Sequence, residues 1–180
     1  MQNLEEKQIE REEIYNGKIV RLVRDKVTLP NGCEAMREVC LHIGAVAVIP
    51  ILDDGRVVVV KQFRYPHGRV FLEIPAGKLD SPNEDLLSAA KRELREETGA
   101  IAEKISELGV MIPSPAILSE RITLFLAEGL TFGETDPDDD EFLNVELIPL
   151  DELYKMALNG EICDAKTVIA VMKAYALKKA

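Results

Sequence analysis

Apolar and polar positions follow strand-like patterns from residue 7 to residue 74, and a helical period first emerges at residue 81. Residues 7–41 alternate, and within them residues 19–24 and 34–41 read as strands around the turn Pro30-Asn31-Gly32. Two β-branched runs follow, AVAVIPIL at 45–52 and RVVVVKQFRY at 56–65, joined by Asp53-Asp54-Gly55. A short turn of that composition between two apolar runs predicts a hairpin. A shorter strand is expected over 70–74. The helical stretch covers 81–98: Ser81 is placed to cap it, Pro82 to sit in its first turn, Glu84 to complete a capping box and Gly99 to end it. Leu87, Ala90 and Leu94 supply its apolar stripe. Beyond it, strands are expected over 105–112, 121–127 and 143–148, and helices over 151–158 and 164–178. This order predicts an α+β fold, with mixed sheets and helices packed on them in layers.

Composition narrows the function classes. The chain has 180 residues, enough for one domain with its own core, and it contains no repeat or low-complexity linker. Its net charge is −10, from 22 basic and 32 acidic residues. Such a chain repels a phosphate backbone, so no nucleic-acid partner is expected. A small phosphate ester would be repelled as well unless local arginines or bound cations meet it. Cys33, Cys40 and Cys163 have no paired spacing and read as reduced thiols of a cytoplasmic protein. Without a CxxC, and with two histidines, a structural zinc site is not expected. The N-terminus is polar and acidic, unlike a signal peptide. No apolar run reaches the roughly 18 residues of a membrane span, so no membrane partner is expected either.

The chemistry concentrates around the central helix. Glu93, Glu96 and Glu97 share one arc of about 100°, because a helix turns about 100° per residue. Like charges at such spacings each cost a helix roughly 0.2–0.5 kcal/mol. A hard divalent cation on their oxygens would compensate, and magnesium suits a site that also holds phosphates. The competing reading is a solvated face, in which Arg92 pairs with Glu96 at i,i+4 and Arg95 adds a second cation.

The wider pattern separates the two. Gly77, Glu84, Arg92, Glu93, Leu94, Glu96, Glu97, Gly99 and Ala100 resemble the Nudix box, G-x5-E-x7-R-E-U-x-E-E-x-G-U with U aliphatic. One departure is visible: six residues, not five, separate Gly77 from Glu84. That insertion lies in a loop and leaves the helical spacing intact. The resemblance implies the Nudix fold, mixed sheets sandwiched between helices (α/β/α), and a requirement for Mg2+ or Mn2+. It implies Glu93 and Glu97 as principal metal ligands, Glu96 as an auxiliary ligand or outer acid, and the carbonyl of Ala76 as a further ligand. Arg92 would hold a glutamate in place. Glu84 is shared between this pattern and the capping box.

Further segments resemble the ADP-ribose pyrophosphatase branch of that family: residues 73–80 (EIPAGKLD), 44–48 (GAVAV), 61–65 (KQFRY) and 159–167 (NGEICDAKT). Pro113-Ser114-Pro115 with Ser119-Glu120 occupies the place of its substrate loop, where Ala116-Ile117 departs from the usual pair. The branch implies hydrolysis of the pyrophosphate of ADP-ribose, to AMP and ribose 5-phosphate, or of a related nucleoside diphosphate sugar. It implies an acidic base on a late loop. The run 136–141 (DPDDDE) fills that place, with Glu141 as first choice and Asp139 as second. Arg64 and Arg37 would contact the substrate, and Glu120 its sugar or a metal-bound water. Residues 1–41 would form an antiparallel extension that pairs with a second subunit in a homodimer, and residues 42–180 the catalytic domain. The aromatic that grips adenine in several relatives is missing: Ile19 falls near that position, and Tyr15 is the nearest aromatic. Other substrates within the family, a catalytically silent nucleotide sensor and an acidic interaction protein stand as alternatives.

Overall fold

The computed structural model describes residues 3–136 and 142–179. They form two compact units, Met1–Gly44 with Ile112–Arg121, and Ala45–Met111 with Ile122–Ala180. The first unit contains the segment expected as an extension, residues 1–41, together with a loop from much later in the chain. Among the described residues no helix is long and apolar enough to cross a membrane.

The first unit is an antiparallel sheet of β1 (Lys7–Asn16), β2 (Arg21–Thr28) and β3 (Glu34–Leu41), in that order. Alternation in β2 buries Val23, Asp25 and Val27 on one face. The charge of Asp25 is met by Arg11 of β1, which donates to its two oxygens at 2.7 and 2.6 Å. The strand expected from residue 19 starts at Arg21 instead. The Gly17 N–H donates to the Val20 carbonyl at 2.9 Å, which closes a turn and leaves Ile19 and Val20 exposed. The loop 112–121 adds to β3: Cys40 N–H donates to Ile117 O at 2.7 Å, and Ser119 N–H to Cys40 O at 3.0 Å.

In the second unit, β4 (Ala45–Pro50) lies inside a four-stranded sheet of order β7-β4-β9-β8. Its partners are β7 (Ala76–Lys78), antiparallel, and β9 (Ile122–Phe132), parallel, and β9 also pairs with β8 (Ala100–Met111). A second, antiparallel sheet has the order β10-β5-β6, from β5 (Arg56–Arg64), β6 (Arg69–Glu73) and β10 (Leu143–Pro149).

The expected hairpin between residues 45–52 and 56–65 is thus corrected. Its turn forms, with Leu52 N–H donating to Arg56 O at 2.8 Å, but past the bridge Ile51–Val57 the strands part into different sheets. The reason is burial on both faces. Ala45, Ala47 and Ile49 join one core with Val57, Val59 and Leu124, while Val46 and Val48 join another with Leu94 and Phe125. A strand apolar on both sides needs cover on both sides, which an interior position supplies and a simple hairpin does not.

Helix α1 (Leu86–Thr98) covers the Val46–Val48 face through Ala89, Ala90 and Leu94. Helices α2 (Leu150–Asn159) and α3 (Ala165–Lys179) close the other core with Leu153, Ala170, Val171 and Ala174. One mixed and one antiparallel sheet are sandwiched between helices, the α+β arrangement expected. The start of α1 differs from expectation by four positions. Asp85 is the N-cap, accepting from Ser88 N–H at 2.8 Å, while Ser81 lies in a preceding turn closed by Glu84 N–H to Ser81 O at 3.2 Å. The capping box of Ser81 and Glu84 does not form, because the Glu84 carboxylate is committed elsewhere.

Candidate active site

The C-terminal half of α1 lies against β7, and the polar residues of both meet there. Spacing i,i+4 puts Glu93 and Glu97 on the face turned toward the strand, where they are 8% and 4% exposed. Carboxylates buried to that degree are held by compensating partners. The Ala76 N–H donates to Glu97 Oε2 at 3.2 Å. A Cβ placed on Gly77 would overlap the Glu93 carboxylate, so glycine here lets the acid lie where it does and any other residue would move it.

Arg92 organises the remaining acids. Its Nη1 donates to Glu93 Oε1 at 2.7 Å and to Glu96 Oε2 at 3.0 Å. Its Nη2 donates to Glu84 Oε1 at 3.2 Å, and Asp80 lies 3.4 Å from Nε. Burial pulls the guanidinium pKa down, but the hydrogen bond to Glu84 and the charges and bonds of Glu93 and Glu96 outweigh it, so it stands above its ordinary value. Glu84 also accepts the Asp80 N–H at 2.6 Å, and this bond, with Arg92, holds it below the usual carboxylate range against burial. Of the two roles left open, the cap is not taken up: the Glu84 carboxylate ties the six-residue loop to Arg92.

Arg64, at the end of β5, donates from Nε and Nη2 to the two oxygens of Glu73 at 2.7 and 2.8 Å. That bidentate bond raises its pKa most, against desolvation, and the charge of Glu97 also reaches it. Glu73 is 2% exposed and receives a second cation, the Nζ of Lys166. Burial alone would push Glu73 up, but Arg64 and Lys166 outweigh it and hold it below the usual glutamate range. Sequence reasoning did not single out Glu73 or Lys166 as functional. Both stand inside segments that resemble the branch, and no spacing marks them as partners.

The second unit thus brings Ala76, Glu93, Glu96, Glu97, Arg92 and Arg64 into the neighbourhood of α1 and β5–β7. The root of the acidic run is bonded to the same helix, with Asp136 N–H donating to Glu96 O at 3.0 Å and Gly133 N–H to Gly99 O at 2.8 Å. Asp139 and Glu141 lie outside the described residues. Arg37 and Glu120 belong to the first unit. Arg37 is paired with Glu6 at 2.6 Å, and Glu120 faces His42 Nδ1 at 3.5 Å.

Among the described residues, no group of three or more His, Cys, Asp or Glu side chains is gathered at metal-holding spacing. The donor set still fits a hard divalent cation. Magnesium is commonly held by one or two carboxylates, with waters and substrate phosphates completing the shell. Glu93 and Glu97, buried one turn apart beside the backbone of Ala76, are such a pair.

Comparison with known proteins follows the same line. The NUDIX domain profile matches residues 41–170. An ADP-ribose pyrophosphatase of Bacillus subtilis (strain 168) is 42% identical over 173 residues, covering 95% of this chain and 93% of that protein. A methanol dehydrogenase activator of Bacillus methanolicus is 43% identical, covering 93% of this chain and 91% of its own length. An ADP-ribose pyrophosphatase of Mycobacterium tuberculosis (strain ATCC 25618 / H37Rv) is 34% identical, covering 94% of this chain and 83% of that protein. A crystal structure of an ADP compounds hydrolase superposes with a TM-score of 0.88 over 99% of this chain and 97% of that one. At 21% identity that likeness speaks for the fold.

Proposed function

The chain belongs to the NUDIX domain family, and from that membership we propose that it is a pyrophosphohydrolase of ADP-ribose or a closely related nucleoside diphosphate sugar, dependent on Mg2+ or Mn2+. The observation that carries the reading is the pair of buried carboxylates, Glu93 and Glu97, one helical turn apart against Ala76 and Gly77. The shared name of the relatives from Bacillus subtilis and Mycobacterium tuberculosis supports the substrate.

Glu93, Glu97 and the Ala76 carbonyl would hold the metal, with Glu96 beside them. A bound divalent cation would neutralise phosphate oxygens and acidify a water. The residues do the rest. Arg92 fixes the aim of Glu93 and Glu96. Arg64, its plane set by Glu73, presents its remaining N–H groups to a phosphate or ribose. Glu141, or Asp139 in its place, takes the proton of the attacking water. Water adds to one phosphorus, the bridging P–O bond breaks, and ADP-ribose yields AMP and ribose 5-phosphate. Arg37 and Glu120 are the first unit's candidates for contact with substrate. That unit also pairs two copies into a homodimer in the cytoplasm; β1 is the edge strand of its sheet and its ten residues are exposed, which suits this.

The test is a product assay by chromatography and mass spectrometry. ADP-ribose, ADP-glucose, GDP-mannose, NADH, dinucleoside polyphosphates and nucleoside triphosphates are offered with Mg2+ to the protein and to Glu97→Gln. AMP and ribose 5-phosphate from ADP-ribose, absent with Glu97→Gln, is the expected result. Turnover of a triphosphate alone moves the enzyme to another substrate class, and binding without turnover of any compound makes it a sensor. Light scattering reads the dimer.

A further inference from the structure

Polar residues at the start of α3 reach the strand end that leads into Ala76. Lys166 is 9% exposed, donates through Nζ to Glu73, and pairs with Asp164 at 3.1 Å. Thr167 is fully buried; its hydroxyl accepts the Ile74 N–H at 2.9 Å and donates to Asp164 Oδ2 at 2.6 Å. Asp164 also accepts the Thr167 N–H at 3.0 Å, as an N-cap does, so the turn that presents these groups is itself tied down. Their partners, Glu73 and Ile74, sit immediately before Pro75-Ala76. The proline ring restricts the backbone between them, and the Pro75 carbonyl accepts the Val48 N–H at 2.9 Å. The place of Ile74 is therefore passed to Ala76 with little slack.

We propose that Lys166 and Thr167 are positioning residues for the active site. Thr167 acts through Ile74 to set the Ala76 backbone against Glu97, and Lys166 acts through Glu73 to set Arg64. The second effect is geometric: a Glu73 carboxylate gripped by Lys166 as well as by Arg64 keeps one orientation, and so does the guanidinium bonded to it, while the charges of Arg64, Lys166, Glu73 and Asp164 balance. The proposal rests on the roles given above to Glu97 and Arg64.

Two variants, Lys166→Met and Thr167→Val, test it against their conservative counterparts Lys166→Arg and Thr167→Ser, with Thr167→Ala in reserve where Thr167→Val does not fold. Mn2+ alone is titrated into the full chain and followed by electron paramagnetic resonance, and kcat and KM are measured separately with ADP-ribose. Thr167→Val is expected to weaken Mn2+ binding about tenfold, and Thr167→Ser to restore it to within about twofold. Lys166→Met is expected to raise KM about tenfold with kcat within about twofold, and Lys166→Arg to recover most of the loss. Unchanged Mn2+ affinity and KM in folded variants overturn the proposal, as does a loss that follows melting temperature alone and is not recovered by the conservative changes. A wild type that binds no Mn2+ overturns it too. A wild type that binds Mn2+ in a Thr167-dependent way yet cleaves no ADP-ribose leaves the positioning role of Thr167 standing and removes the substrate reading.

Discussion

Replacing Glu73 by glutamine keeps its shape and removes its charge, leaving the Arg64 and Lys166 cations facing a neutral amide. Glu73 accepts three charge-assisted hydrogen bonds, two from Arg64 and one from Lys166, at a site 2% exposed. Removing one member of a buried ionic cluster costs about 3–5 kcal/mol. Two features place this case at the low end: Lys166 already has Asp164 at 3.1 Å, and the Arg64 side chain is 40% exposed and can recruit water. For a chain of this size each kcal/mol moves the melting point by about 2–4 °C, so a loss of about 3 kcal/mol lowers Tm by roughly 6–12 °C at pH 7. Differential scanning calorimetry measures it. The pH dependence gives an independent check. The folded pKa of Glu73 is depressed, so its contribution is fully present above the ordinary glutamate value of about 4.3 and is lost as pH falls through the lower folded value. The two melting curves should keep a constant gap from pH 7 down to about 5.5 and draw together below about 4.3. Adding Lys166→Met to Glu73→Gln removes a cation that has already lost its bond to Glu73, so the double variant should lose less than the sum of the single losses. Coincident melting of Glu73→Gln and wild type at pH 7, or a gap that widens on acidification, would refute the reasoning.

Other expectations follow from single contacts. Gly77→Ala places a Cβ where the Glu93 carboxylate sits, and should weaken Mn2+ binding about tenfold or more while far-ultraviolet circular dichroism is unchanged. Arg92→Met removes the cation shared by Glu84, Glu93 and Glu96, and kcat/KM should fall about 10–100-fold. Arg92→Lys should not restore it, since one ammonium cannot replace a planar fork bonded to several carboxylates. Asp85→Ala should lower stability measurably as the true N-cap, and Ser81→Ala hardly at all, both read by chemical denaturation.

What the sequence discloses about this molecule depends on how local each interaction is. The acidic face of α1 was legible because it is a helical interval: Glu93 and Glu97 are four residues apart, and the helix converts that count into a shared direction. Strand periods were legible for the same reason, but a period says nothing about which sheet a strand enters. The run 45–52 carried the clue to its own correction, since a strand apolar at every position does not suit a hairpin with one wet face. The helix start was harder. Ser81 and Asp85 are both capping residues, and a contact from outside the segment decided between them: Arg92 and the Asp80 amide claim the Glu84 carboxylate that a capping box at Ser81 would use. The support for the site is the least local of all. Glu73 and Lys166 are 93 residues apart, and so are Ile74 and Thr167. In a chain with 32 acidic residues, a lysine has too many possible partners for composition or spacing to choose one. Only packing selects: α3 buries Ala170, Val171 and Ala174 in the core, and that burial brings its first turn to the end of β6. The apolar positions of α3, not its charges, therefore determine which carboxylate Lys166 meets.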